Sequence, residues 1–134
     1  MKRKEADDLW SDMEFFGKKG ARISSRNVKV TITDNHTILF SAAFCHKADL
    51  QDKTAIKLGY SPSKHAIIFD FTEDPNTEGA FRLVQRGSSA STTCRSFFNA
   101  YDLDKAITAG HYIPHKEKIP RVGEMWVIML HDKI

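Results

Sequence analysis

Val28-Lys29-Val30-Thr31-Ile32-Thr33, then Asp34-Asn35-His36, then Thr37-Ile38-Leu39-Phe40-Ser41-Ala42-Ala43-Phe44 is the stretch that decides the fold. From Arg26 to Thr33 polar and apolar residues alternate and many are β-branched, which predicts a half-buried strand. Asp34-Asn35-His36 has turn composition, and Thr37–Phe40 reads as a second strand. Ser41 can accept a hydrogen bond from the backbone that follows it. It therefore opens a short helix over residues 42–50, with Phe44, Ala48 and Leu50 toward the core. Residues 53–60 and 65–71 read as a third and a fourth strand around the turn Ser61-Pro62-Ser63-Lys64. Asp74-Pro75-Asn76 then marks a linker.

The second half repeats this order. With a shift of about 53 positions, Val28-Lys29-Val30 falls on Phe81-Arg82-Leu83, Phe44 on Phe97, and Asp49-Leu50 on Asp102-Leu103. With a longer loop in the second copy, Ala66-Ile67-Ile68-Phe69 meets Met125-Trp126-Val127-Ile128. A match at this period means one supersecondary unit built twice. The second copy is expected to run strand 80–85, strand 90–93, helix 95–101, strand 105–114, a long loop 115–122 and strand 124–130. Its second strand is unusually polar. The long helical crossovers of a parallel sheet are missing from both copies, so the strands should pair antiparallel.

Residues 1–20 stand outside the repeat. Leu9, Trp10, Met13 and Phe16 share one face of a 3.6-residue period, which predicts an N-terminal helical arm ending at Gly17 and Gly20. The expected organisation is this arm followed by one domain, 21–134, made of copies 21–78 and 79–134. A chain of 134 residues with 41% hydrophobic and 28% charged residues has the composition of a folded globular protein. No apolar run approaches the roughly 18–20 residues of a membrane helix. The charged start shows no secretory pattern. Cys45 and Cys94 do not form a disulfide framework and read as reduced thiols, so a cytoplasmic protein is expected.

Charge is unevenly placed. The net +3 falls wholly in residues 79–134, while the earlier segments balance. Lys18, Lys19, Arg22, Arg26 and Lys29 form a local cluster without an acid among them. Such a balance permits a polyanionic partner without requiring one.

The order ββαββ over Val28–Phe71, with Leu39-Phe40-Ser41-Ala42-Ala43-Phe44 at the strand-to-helix joint, resembles the AbrB/MazE/MraZ-like swapped-hairpin family. Two copies in one chain look like the MraZ arrangement. The resemblance spans about residues 22–131. It implies a mainly β (α+β) fold in which two tandem ββαββ repeats interleave their hairpins into one pseudo-twofold barrel. Interleaving is also expected physically, because one such unit buries little and leaves strand edges open. Two lobes joined at Asp74-Pro75-Asn76 are the competing arrangement.

The resemblance further implies DNA binding through basic residues near the first strand, here Arg22, Arg26 and Lys29, with Arg82 and Arg86 in the second copy. The arginine that the family often places before the second strand is missing; His36 or Thr37, and Ser89 or Ala90, stand there. The paired helix arginines are replaced by Cys45-His46-Lys47 and Phe98-Asn99-Ala100. A solvated strand face, which discourages aggregation, explains the same basic residues without any ligand.

Other chemistries find no constellation. His111 and His115 are four apart but not on a helix, and Cys45-His46 are neighbours, so no metal site is expected. Cys94 opens the second helix at the place of Ser41 and reads as a capping or packing residue rather than a nucleophile. Gly87-Ser88-Ser89 lacks the spacing and lysine of a phosphate loop. Asp102 and Asp104 read as turn residues. Phe15, Phe16, Phe40, Phe44, Phe69, Phe71, Phe81, Phe97, Tyr101 and Trp126 are expected in the core rather than on a base-stacking surface. The expectation is a non-enzymatic, cofactor-free regulator that binds double-stranded DNA. The alternative is a protein-interaction or assembly module, homo-oligomeric through Leu9, Trp10 and Phe16.

Overall fold

The structure is a computed structural model and describes residues 28–134. The expected N-terminal helix, with Phe15, Phe16, Arg22 and Arg26, lies outside the described residues. The elements are β1 (Val30–Ile32), β2 (Thr37–Phe40), α1 (Ala42–Lys47), β3 (Ala55–Ser61), β4 (Ala66–Thr72), β5 (Phe81–Arg82), β6 (Val84–Arg86), β7 (Ser89–Thr93), α2 (Arg95–Ala100), α3 (Lys105–Thr108), β8 (Gly110–Tyr112), β9 (His115–Ile119) and β10 (Gly123–Met129).

The ten strands form two five-stranded sheets, ordered β6-β7-β2-β1-β8 (sheet A) and β5-β3-β4-β10-β9 (sheet B), antiparallel throughout. Neither sheet belongs to one half of the chain. β2 pairs with β7, β4 with β10, β1 with β8 and β3 with β5, so every strand of the first half has a partner from the second.

Short side chains with buried β-branched and aromatic neighbours explain why these segments pair. Val30, Ile32, Ile38 and Phe40 point inward from sheet A, and Ile56, Ile67, Phe69 and Ile128 point inward from sheet B, all nearly inaccessible. Phe40 sits among Phe44, Phe69 and Phe71 at ring separations of 5.8, 5.3 and 5.3 Å. Phe44 reaches Trp126 of the second half edge-on at 5.0 Å. Edge-to-face contacts of this kind suit the ring quadrupoles. Gln85 adds a polar tie between the halves, its amide donating to Leu50 O at 2.8 Å and Lys53 O at 3.0 Å.

The strands do not make the expected closed barrel; they fall into two sheets that the chain crosses between at two corners. Only Leu83 separates β5 of sheet B from β6 of sheet A, and its buried side chain turns the strand inward. Ile113-Pro114 separates β8 from β9. Proline has no N–H to give a ladder, so pairing stops there and resumes in the other sheet.

Three further expectations need correction. Residues 105–114 are not one strand: Asp104 accepts from Ala106 N–H at 2.9 Å and starts the one-turn helix α3 before the short strand β8. Residues 115–122 are not a loop, because His115–Ile119 pairs residue by residue with β10. Tyr101, expected inward, is 46% exposed. It follows the last residue of α2 and only edges against Phe97 and Tyr60.

Candidate functional site

The outer face of sheet A mixes hydroxyl-bearing residues with the exposed aliphatic side chains of Leu39 and Val84. Because side chains directly opposite each other in antiparallel strands share a face, the register fixes which residues meet there. Thr31, Leu39, Ser91 and Val84 form one row across β1, β2, β7 and β6, with His111 beyond Thr31 on β8. Thr31 Oγ1 and His111 Nδ1 lie 2.8 Å apart. Toward one end follow Thr37 and Thr93, with hydroxyls 3.3 Å apart.

The row at the other end is bounded by cations. Lys29 lies opposite Ser41, whose N–H donates to Lys29 O at 3.1 Å. One step past Phe40↔Ala90, Ser41 is level with Ser89, and Ser89 pairs with Arg86. Lys29-Ser41-Ser89-Arg86 is therefore a single row, its ends three strand spacings or about 14 Å apart. Ser41 Oγ is already engaged, accepting from Lys29 N–H at 3.0 Å and Phe44 N–H at 3.2 Å.

Of the basic residues named from sequence, Lys29, Arg82 and Arg86 are described, and all three are exposed. None forms an ion pair among the described residues, where lysines 53 and 116 do. The sequence match sets Lys29 against Arg82, yet the ladder puts Lys29 level with Arg86 and leaves Arg82 on β5 of sheet B, beyond the Leu83 corner and outside that row. Arg22 and Arg26 lie outside the described residues. The hydroxyl rows were not singled out from sequence. Their signal was present in the alternation of Thr31 and Thr33 and in the polar run Ser89–Thr93, and became readable only with the register.

A second concave surface lies at the β1–β2 turn. Asp34, Asn35 and His36 face Arg95, Phe98 and Asn99 of α2, and Asp102, Asp104 and Lys105, around a cleft of about 700 Å³. Three carboxylates against two cations make it acidic. His36 has a left-handed backbone (φ 60°), stacks on Phe98 at 5.0 Å, and buries Nδ1 without a partner. Its carbonyl oxygen accepts from Cys94 N–H at 3.0 Å, tying the turn to the start of α2.

The outer face of sheet B differs from both. Ile68, Met125, Val127, Met129 and Ile119 line two adjoining grooves of about 250 and 290 Å³. Gly59 on β3 leaves the floor open beside Ile68, and Val122 at the rim is 58% exposed.

The thiols are not poised for chemistry. Burial pushes Cys45 up to about 11 and Cys94 up to about 12, so both are protonated near neutral pH. Cys94 stands at the N-cap of α2 without capping it and donates weakly to His36 O at 3.6 Å, so it packs where Ser41 caps. Among the described residues no group of three or more His, Cys, Asp or Glu side chains is placed to hold a metal ion, and no helix is long and apolar enough to cross a membrane. In comparisons with protein-family models, curated proteins and solved structures, nothing matches this chain.

Proposed function

We propose that this protein is a cytoplasmic, cofactor-free, non-enzymatic regulator that binds double-stranded DNA through the outer face of sheet A. Lys29 and Arg86 contact phosphates from this face, and Arg82, on β5 of sheet B beyond the Leu83 corner, with Arg22 and Arg26, just upstream of Lys29 in sequence, extend the basic set. The observation that carries the reading is the single row Lys29-Ser41-Ser89-Arg86, with exposed cations at both ends and hydroxyls between. Cations supply the counterion-release term of DNA binding, and hydroxyls donate to phosphate oxygens without repelling them. The pairing of each first-half strand with one from the second supports reading the halves as tandem swapped-hairpin repeats, which is where the DNA expectation began. Titration of labelled duplex DNA tests it. Binding should weaken steeply from low to physiological salt, and should be weaker and less salt-dependent in Lys29→Ala/Arg86→Ala; no binding at low salt would sink the reading.

A protein-interaction or assembly role is the second reading, and the apolar outer face of sheet B favours it. Apolar grooves rimmed by polar and charged side chains, as here by Lys57, Lys64, Asp70, Glu117 and Lys118, mark contact sites more often than solvent faces. Light scattering separates the two. Ile68→Lys should dissociate an assembly made through this face and leave DNA affinity unchanged, and deletion of residues 1–17 should dissociate one made through the arm.

A further inference from the structure

Resting on the DNA reading, we infer that the site reads the phosphate backbone alone, so that its partner is duplex DNA of any sequence rather than one operator. Three features of the face lead there.

The first is breadth. B-DNA's major groove, about 12 Å wide, admits a helix or a two-stranded ribbon. Sheet A is five strands across, about 19 Å between its outer strands, and lies over a groove instead of entering it.

The second is reach. Between Lys29 and Arg86 the outward residues are Thr31, Leu39, Ser89, Ser91 and Val84, with Ser41 already engaged by backbone N–H groups. Base edges lie about 8.5 Å deep in the major groove, beyond short hydroxyl and aliphatic side chains. Base discrimination there needs long bidentate groups, and the long side chains of this face stand only at its ends.

The third is the charge on the projecting turns. The β1–β2 turn carries Asp34 and closes on Asp102 and Asp104, so phosphates on either side of a groove would repel it. The β6–β7 turn is Gly87-Ser88, which brings no base-reading side chain beyond the neighbouring Arg86. With both turns unsuited to groove entry, only contacts without sequence information remain. The separation of Lys29 and Arg86 matches about four base rises along one strand.

The test is a fluorescence-anisotropy titration of the full chain against several duplexes of equal length and unrelated sequence, followed by selection from a random duplex pool. Affinities within about threefold of each other are expected, where a sequence-reading protein separates sites by about a thousandfold or more. The logarithmic salt slope should be about −2 or steeper, since Lys29 and Arg86 alone neutralise two phosphates. Lys29→Gln/Arg86→Gln, both at exposed positions and checked for folding by near-ultraviolet circular dichroism, should make that slope shallower by about 2. Enrichment of one sequence bound about a hundredfold more tightly than the pool overturns this inference and leaves DNA binding standing. Failure of every duplex to bind at low salt overturns both.

Discussion

Asp49 and Asp102 close two helices with one geometry. Each follows a six-residue helix and its capping residue, and each has a left-handed backbone, with φ of 57° and 53°. Asp49 N–H donates to His46 O at 3.3 Å, and Asp102 N–H donates to Asn99 O at 3.3 Å. The next residues, Leu50 and Leu103, donate to Cys45 O and Phe98 O, both at 2.9 Å, and bury their side chains. These paired bonds satisfy carbonyls that a helix end would otherwise leave open.

Left-handed backbone strains any residue with a Cβ, aspartate less than most. Asp102→Gly should therefore raise unfolding free energy by about 0.5 kcal/mol, and Asp102→Val should lower it by about 1–2 kcal/mol. Urea unfolding checks both, and the same pair at Asp49 should give the same signs.

Thr92 is 1% exposed, and its Oγ1, on the residue opposite Ile38, is buried without a partner among the described residues. A buried hydroxyl without a hydrogen bond costs about 1–3 kcal/mol, and valine has nearly the same shape. Thr92→Val should raise the urea midpoint by the equivalent of about 1 kcal/mol; a lower midpoint would show that the hydroxyl has a partner.

Ser41 accepts at once from Phe44 N–H and Lys29 N–H, joining the cap of α1 to the start of β1. Ser41→Ala should cost about 1–2 kcal/mol, at the upper end for an N-cap because two donors lose their acceptor. Cys94→Ala leaves no orphaned cap donor, and its cost should come from packing instead. Thermal unfolding of Ser41→Ala beside Ser41→Thr, which keeps an acceptor, separates the cap from simple loss of volume.

The buried thiols link stability to alkaline pH. Their ordinary value is 9.0, and folding raises them to about 11 and about 12. Above pH 9 the unfolded chain releases these protons while the folded chain keeps them. The stabilisation is thus full below pH 9 and is lost as pH rises through the folded values. Unfolding midpoints should fall between pH 9 and 11, and less steeply in Cys45→Ala/Cys94→Ala. At pH 8 both thiols of the native chain should resist a disulfide reagent and react on denaturation.

The segments built on local rules were legible early. Alternation marked β1 and β2 and Ser41 marked the start of α1, although α1 ends at Lys47, short of the expected residue 50. Segments whose state depends on a distant partner were not. His115-Lys116-Glu117-Lys118-Ile119 is charged and has the composition of a loop, yet it is a strand because β10 supplies its hydrogen bonds. Tyr101 belongs by pattern to the core, but among the described residues its ring only edges against Tyr60 and Phe97 and stays exposed.

The basic residues divide along the same line. Sequence by itself placed Lys29 and Arg82 on strand segments with apolar neighbours and Arg86 just past the end of one, because alternation is a local property of the chain. Only the tertiary structure decided that Lys29 shares a row with Arg86 rather than Arg82. That placement depends on the register of three strand pairings, one of them between β2 and β7 from opposite halves of the chain. Register follows from how whole faces bury against each other, and no single strand carries that information.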